Sequence, residues 1–193
     1  MAATSLMPDL GTEAPGFSLP DTISREVVSL DDFSEKKGLL VMFICNHCPY
    51  VQHIREELAR FGEDYAQSDL AIIAISSNDI EQYPSDSPVA MAQEAETYGY
   101  TFPYLYDEDQ SVAKAYGAVC TPDFFLFGPD RKLVYRGRFD ESRPDSGIPV
   151  TGKDLRNAVD AVLADDHVSE DQRPSMGCSI KWKSGNTPAS SSS

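Results

Sequence analysis

Two stretches of the chain are apolar at every position. They cover residues 39–44, with the sequence LLVMFI, and residues 70–75, with the sequence LAIIAI. Runs of this length without a polar break are typical of strands that are covered on both faces of a parallel or mixed sheet. Between them, apolar side chains recur three and four residues apart from Val51 to Tyr65, which predicts an amphipathic helix. Strand, helix and strand together predict a right-handed βαβ unit.

Further helices are predicted in the second half of the chain. Ser87 and Pro88 have the character of a helix cap and a first helical turn, and the helix that they begin continues to Tyr98. Residues 111–116 form a short helix, which Gly117 closes.

Two hairpins and a last helix complete the pattern. Residues 124–127 form an apolar strand, a Gly-Pro-Asp turn joins it to the antiparallel strand 132–138, and an amphipathic helix follows over residues 152–164. Residues 17–19 and 26–30 flank a Pro-Asp turn and predict a small hairpin. The predicted fold class is α/β, with a central mixed β-sheet flanked by helices and an N-terminal β-hairpin extension.

The charge of the chain excludes several classes of partner. Its 193 residues include 31 acidic and 16 basic side chains, which gives a formal net charge of −15. This charge repels a phosphate backbone and an anionic membrane surface, so we expect no nucleic-acid and no membrane partner. No apolar stretch approaches the ~18 residues of a membrane span. Residues 1–10 have neither a cationic start nor an apolar core, so we expect no signal peptide and a cytoplasmic location.

One domain accounts for most of the chain. A length of 193 residues corresponds to about one domain with attachments, and we place this domain over residues 9–183. Residues 184–193 are rich in serine and predict a disordered tail.

Four cysteines are spread unevenly along the chain, and two of them form a close pair. Cys45 and Cys48 enclose Asn46 and His47 at the end of the first core strand and the start of its helix. In a chain without a secretory signal, such a pair is more often catalytic, redox-sensing or metal-binding than structural. Two cysteines with this spacing can close a small disulfide ring with little movement of the backbone.

The position of the pair also predicts which sulfur is ionised. At a helix N-terminus, unpaired N–H groups and the helix dipole stabilise a thiolate, and a positive neighbour lowers the thiol pKa further. With His47 as that neighbour, we expect Cys45 to be the attacking thiol and Cys48 the resolving thiol. Pro49 disfavours helical backbone at Cys48 and predicts a helix that either begins a few residues late or carries a kink.

Zinc binding is the alternative chemistry for the pair, and it needs two further ligands. The candidates are His47, His53, Cys120 and Cys178. Because the chain has no second Cys-x-x-Cys and no His pair to supply the other half of a site, we predict no metal and no cofactor.

A second candidate element is the sequence Cys120-Thr121-Pro122-Asp123, just before the apolar strand 124–127. A proline that opens a core strand in a tight turn is a candidate for a cis peptide bond. We therefore predict a cis bond between Thr121 and Pro122.

Together these motifs resemble the thioredoxin superfamily, in particular its peroxiredoxin-like (redoxin, AhpC/TSA-like) branch. The resemblance rests on GTEAPGFSLPD at residues 11–21, VSLDDF at residues 28–33, the cysteine pair, the Thr-Pro sequence with the hairpin after it, and PSMGCSIKW at residues 174–182. It covers residues 9–183 and implies a thioredoxin-like fold.

The resemblance implies a thiol–disulfide oxidoreductase that acts on a protein or small-molecule thiol or disulfide through a mixed disulfide. It places Thr121 and Pro122 opposite the cysteines, where they bind the substrate strand and keep metal away from the dithiol. Leu39 stands where thioredoxins have a buried Asp. We therefore assign the role of proton acceptor for Cys48 to Asp123.

Two other functions are compatible with the same residues. A thiol peroxidase with an antioxidant role would use Cys48 or Cys45 as its peroxidatic cysteine. Peroxiredoxins carry a Thr three residues before that cysteine, and Cys45 takes this position if Cys48 is the peroxidatic residue. A metal-binding or redox-sensing protein without turnover would use Cys45, Cys48 and His47.

The remaining two cysteines lie outside the close pair. Cys120 precedes Pro122 by two residues and is expected to be a buried, apolar thiol. Cys178 lies in an irregular segment flanked by Pro and Gly. Such a segment suits a mobile loop that folds back over the site, so we predict a further resolving thiol at Cys178.

Overall fold

The computed structural model describes residues 2–188 as a central sheet with helices on both faces. The strands of this part of the chain are β1 (Ala2–Thr4), β2 (Ser18–Pro20), β3 (Val27–Ser29), β4 (Gly38–Phe43), β5 (Leu70–Ser76), β6 (Tyr104–Tyr106), β7 (Cys120–Thr121), β8 (Asp123–Phe127), β9 (Leu133–Gly137) and β10 (Met176–Ser179). The helices are α1 (Pro49–Tyr65), α2 (Pro88–Tyr98), α3 (Ser111–Tyr116) and α4 (Lys153–Leu163). The predicted helices and hairpins are present, with bounds that differ by a few residues.

The strands of the central sheet lie in the order β6-β5-β4-β8-β9. β4, β5 and β6 run parallel, and β8 and β9 continue the sheet in antiparallel pairing. Val41 of β4 lies between Ile73 of β5 and Phe125 of β8. Every residue of β4 and β5 is buried, as expected for apolar strands that are covered on both faces. The predicted central mixed sheet is thereby confirmed.

The two faces of the sheet have separate cores. Because successive side chains of a strand point to opposite faces, Leu40 and Met42 of β4 pack in the core with α1, α2 and α4. Val41 and Phe43 pack in the other core, with α3 and the β2–β3 hairpin. Cys45 and Cys48 both belong to the core that contains α1, α2 and α4. The chain therefore passes from the end of β4 directly into the layer of α1.

In the described part of the chain the sequence pattern does not predict four of the strands, which are β1, β6, β7 and β10. β7 has only two residues. β6 has three residues and is too short to show a periodicity. β1 and β10 form a separate antiparallel sheet in the order β1-β10-β7. Since β1 and β10 come from opposite ends of the described chain, their pairing is long-range and leaves no local signal. The segment after residue 167 is therefore partly a strand, where the sequence indicates an irregular loop.

At the chain ends, β1 lies before the predicted domain start at residue 9. Residues 189–193 of the predicted serine-rich tail lie outside the described residues. Within residues 2–188, no helix has both the length and the apolar character that crossing a membrane requires.

Candidate active site

The loop between β4 and α1 carries the cysteine pair. β4 ends at Phe43 and α1 begins at Pro49. Cys48 is the N-cap residue of α1 and has extended backbone, with φ −72° and ψ 121°, because the proline after it disfavours helical backbone. The late helix start predicted from Pro49 is confirmed. The expectation that the first sulfur lies at the helix N-terminus is wrong, since Cys48 occupies that place and Cys45 precedes it.

Both sulfurs lie against the peptide bond between Thr121 and Pro122, which is cis as predicted. The hydroxyl oxygen of Thr121 lies 3.3 Å from Cys45 Sγ. The Cys48 thiol donates a hydrogen bond of 3.2 Å to the carbonyl oxygen of Thr121. The turn from β7 to β8 thus brings the predicted substrate-binding residues next to the predicted catalytic sulfurs.

His47, the third predicted catalytic residue, pairs with a carboxylate that the sequence does not single out. Its Nδ1 atom lies 2.5 Å from Oδ2 of Asp86, and its ring stacks on Tyr83 with centroids 4.9 Å apart. Asp86 is fully buried. It also accepts hydrogen bonds from the backbone N–H groups of Asn46 (2.8 Å) and His47 (3.2 Å) and from the side chain of Asn78 (2.8 Å). Asp86 therefore anchors the loop between the two cysteines.

The surroundings of Asp86 explain why sequence analysis missed it. It ends the 3₁₀ turn Pro84–Asp86, whose composition is typical of ordinary turns, and it is 39 positions from His47. Donor atoms of Cys45, His47 and Asp86 lie within 4.8 Å of one another, a spacing that suits a metal ion. However, a carboxylate offers about four acceptor sites, and Asp86 already has four hydrogen-bond contacts. The arrangement fits a loop anchor better than a metal ligand.

The two sulfurs differ in their electrostatic surroundings. The thiols of Cys45 and Cys178 and the backbone N–H of Val51 lower the pKa of Cys48 to about 5, although burial opposes this shift. The hydrogen bond to Cys48, burial and the Asp86 carboxylate raise the pKa of Cys45 well above its usual range. When the dithiol loses one proton, the negative charge is therefore stabilised on Cys48, at the helix N-terminus.

Asp123, the expected proton acceptor, is fully enclosed, and burial raises its pKa well above the usual range. It lies beside Ser175 and accepts a hydrogen bond from the N–H of Phe124. In the sheet it pairs with Phe43, so the two side chains share the α3 face, whereas Cys48 belongs to the opposite core. The structure does not bring Asp123 and Cys48 together on one face, and the role of proton acceptor stays a prediction.

The other two cysteines lie in the small sheet beside the pair. Cys120 is fully buried, and burial raises its pKa well above the usual range, as expected for an inert apolar thiol. Cys178 is half-buried on β10 and pairs in register with Thr121. Burial and the neighbouring Cys48 raise the pKa of Cys178 to about 12. The C-terminal segment therefore does fold back over the site, but as a strand rather than a loop.

A mixed sheet, a Cys-x-x-Cys loop after a central strand and a cis proline facing it define a thioredoxin-like fold. The same fold occurs in the thioredoxin domain of a thiol-disulfide oxidoreductase from Bacteroides vulgatus. That structure matches with a TM-score of 0.62 at 22% identity, over 81% of this chain and 99% of that chain. The AhpC/TSA family matches residues 10–136. The chain belongs to the AhpC/TSA family.

Two relatives show how far the similarity extends. An uncharacterized conserved protein from Geobacillus kaustophilus is 54% identical, with a TM-score of 0.93 over 95% of this chain and 97% of that chain. The thiol-disulfide oxidoreductase ResA from Bacillus subtilis (strain 168) is 27% identical over 124 residues, which are 64% of each chain. The similarity to this curated relative thus spans less than two thirds of its length.

Proposed function

We propose that the protein is a thiol–disulfide oxidoreductase in which Cys45 and Cys48 form the dithiol–disulfide couple. One observation carries the proposal: both sulfurs contact Thr121, beside the cis proline, at 3.3 Å and 3.2 Å. The two thiols are also hydrogen-bonded to each other, so they are placed to form a disulfide. The ResA relative is named as a thiol-disulfide oxidoreductase, which supports this activity. The substrate class is a disulfide or dithiol of a protein or small molecule, and a cytoplasmic location stays a prediction from the sequence.

In this proposal the attacking sulfur is Cys48, in place of the Cys45 expected from the sequence. The Cys48 thiolate attacks a substrate disulfide, forms a mixed disulfide and releases one substrate thiolate. Cys45 then attacks Cys48 Sγ, which closes the Cys45–Cys48 disulfide and expels the second substrate thiolate. The proton of Cys45 passes to the departing thiolate. The dithiol thereby gives two electrons to the substrate.

The neighbouring residues support the two steps in different ways. The hydrogen bond from Thr121 acts against the raised pKa of Cys45, and this assists the second attack. Pro122 borders a surface cleft that Tyr50 and Met176 also line, and we assign substrate binding to Thr121 and Pro122. His47 holds the loop in place through Asp86.

Cysteine variants test the activity and the order of the sulfurs. The protein should reduce insulin disulfides with dithiothreitol as the electron source, and Cys48→Ser should abolish this activity. In a Cys178→Ser background, which removes the other thiol beside Cys48, Cys45→Ser should accumulate a mixed disulfide on Cys48. Cys120→Ser is the matched control, because it removes a buried thiol outside the couple.

The same variants give the contradicting results. A stable mixed disulfide on Cys45 of the Cys48→Ser variant would reverse the order of attack. Insulin reduction that survives the loss of both Cys45 and Cys48 would refute the proposed function.

A thiol peroxidase is the second candidate function, and membership of the AhpC/TSA family favours it. Cys48 lies at the N-terminus of α1, where a thiolate is stabilised, so it is the candidate peroxidatic cysteine. Consumption of hydrogen peroxide by the reduced protein tests this activity. The rate should be lost in Cys48→Ser and retained in Cys120→Ser if Cys48 is the attacked sulfur, and an antioxidant role depends on that result.

A further inference from the structure

The chain's own C-terminal strand covers the reactive pair. The exposed fraction is 1% for Cys45 and 0% for Cys48, and Cys178 of β10 packs against the core cluster that contains both. β10 pairs with β7 so that Cys178 lies opposite Thr121, which is the residue that both sulfurs contact. A peptide substrate that reaches the sulfurs along the edge of β7 must therefore displace β10.

The close approach of β10 to this edge depends on Gly177. A Cβ atom at this position would lie 1.9 Å from the carbonyl oxygen of Thr121 and 3.0 Å from the nitrogen of Pro122. Glycine is therefore required for the backbone of β10 to lie directly on the Thr121–Pro122 peptide group. β10 is fitted to this edge as an extended peptide is fitted to an open sheet edge.

The small sheet allows β10 to leave and return. The partners of β10 are β7, with two residues, and β1, with three. Short strand pairings of this kind open locally at low cost. On either side of β10 the chain is anchored. The N–H of Ser175 donates to Ser5 Oγ at 3.0 Å, and the N–H of Ile180 donates to the carbonyl oxygen of Val119 at 2.9 Å. These anchors keep the opening local and return Cys178 to the same place.

We propose that Cys178 is a third redox cysteine, which resolves a mixed disulfide at Cys48 as β10 returns to the edge of β7. The inference rests on the proposed function and extends it. The Cys178 sulfur attacks Cys48 Sγ, the bond between Cys48 and the substrate sulfur breaks, and the Cys178 proton passes to the departing substrate thiolate. The substrate disulfide is the oxidant. Cys45 then attacks Cys48 Sγ, forms the Cys45–Cys48 disulfide and releases Cys178 as a thiol.

This route couples resolution to the release of the substrate. A substrate strand and β10 compete for the same backbone edge at Thr121, so the return of β10 removes the substrate as it brings Cys178 to Cys48. Cys178 is also the one of the three sulfurs that is half-exposed in the closed state. It can therefore move between solvent and the buried pair without unfolding the core.

The test uses the full chain with Cys45→Ser and Cys120→Ser, which leaves Cys48 and Cys178. The probe is dithiobis(nitrobenzoate), an aromatic disulfide that releases a coloured thiolate. We expect Cys48 to release one thiolate and Cys178 to release the second, with a Cys48–Cys178 disulfide found by mass spectrometry. Adding Cys178→Ser should stop the reaction after the first thiolate, with the adduct retained on Cys48.

The order of events needs one further variant. With Cys48→Ser added instead of Cys178→Ser, Cys178 is the remaining thiol of the three. It should react with the probe at least about tenfold more slowly than Cys48 does, because burial favours its protonated form. If Cys178 alone reacts as fast as Cys48, its assignment as the resolving thiol is overturned. A lasting adduct on Cys48 in the chain that retains Cys178 would also overturn the inference, while the proposed function stands. If no adduct forms on Cys48 at all, Cys48 is not the attacking sulfur, and both this inference and the proposed order of attack fail, whereas the proposed function is refuted only if insulin reduction survives the loss of both Cys45 and Cys48.

Discussion

Nδ1 of His47 lies 2.5 Å from Oδ2 of Asp86, and this contact ties the residue before Cys48 to a carboxylate with no exposure to solvent. The same carboxylate receives two backbone N–H groups of the loop. A buried carboxylate with this many donors holds the loop by charge-assisted hydrogen bonds. The position of the sulfurs relative to Thr121 therefore depends on a residue in the turn before α2.

Asp86→Asn is expected to weaken this anchor. The amide loses the negative charge and part of the acceptor capacity, and hydrogen bonds to a charged group each contribute about 1.5–3 kcal/mol. We expect the free energy of unfolding to fall by about 3 kcal/mol, measured by urea denaturation. Because the Asp86 charge raises the pKa of Cys45, the pKa of that thiol should fall, measured by thiolate absorbance in a Cys48→Ser background.

Asp166→Asn is the matched control for this substitution, because Asp166 is exposed in the loop after α4. It should change the free energy of unfolding by less than about 0.5 kcal/mol. An Asp86→Asn protein with unchanged stability and an unchanged pKa of Cys45 would show that the loop does not need the anchor.

The lowered pKa of Cys48 predicts how adduct formation depends on pH. The thiolate of Cys48 is the reactive form. The fraction of Cys48 that is ionised, and with it the rate of adduct formation, therefore rises as the pH increases through about 5 and is constant at neutral pH. An ordinary thiol would instead continue to gain reactivity up to about pH 8.5. The rate of the first thiolate release from dithiobis(nitrobenzoate), in a chain that retains Cys45, measures this profile. Removal of Cys45, the largest cause of the shift, should move the midpoint to higher pH, whereas Cys120→Ser should leave it in place.

Local sequence signals are sufficient for much of this fold. β4 and β5 are apolar throughout, so their burial between two layers follows from the sequence alone. Pro49 restricts the residue before it and predicts the late start of α1. The Thr121–Pro122 turn is recognisable because a proline opens the strand at Asp123.

The parts that sequence reasoning missed depend on contacts between distant segments. Asp86 is distinguished from other turn residues by the loop packed against it, and β10 is a strand only because β1 and β7 lie beside it. Which of the two cysteines occupies the N-cap position of α1 depends on a smaller difference. A shift of the helix start by one turn transfers the favourable N-terminal position from Cys45 to Cys48, and this reverses the assignment of the thiolate.

Gly177 determines how closely β10 covers the pair, and Gly177→Ala is expected to open it. The added methyl group would overlap the carbonyl oxygen of Thr121, so the strand must move away from β7. Overlap in a packed region costs about 1–3 kcal/mol, and each 1.4 kcal/mol corresponds to about a tenfold change in population. We expect the first thiolate release, at Cys48, to become about tenfold faster.

Both rates are measured in the chain with Cys45→Ser and Cys120→Ser, where Cys178 is the resolving thiol. The second thiolate release, by Cys178, should become slower when Gly177→Ala is added, because β10 no longer returns to its place. Gly16→Ala is the matched control, since a Cβ at Gly16 would meet nothing within 4 Å, and both rates should stay unchanged. Opposite changes in the two rates are specific to a strand that both shields Cys48 and carries its resolving thiol. If Gly177→Ala leaves the first rate unchanged, substrates reach Cys48 without moving β10. If both rates increase together, β10 only shields the site and Cys178 has no part in resolution.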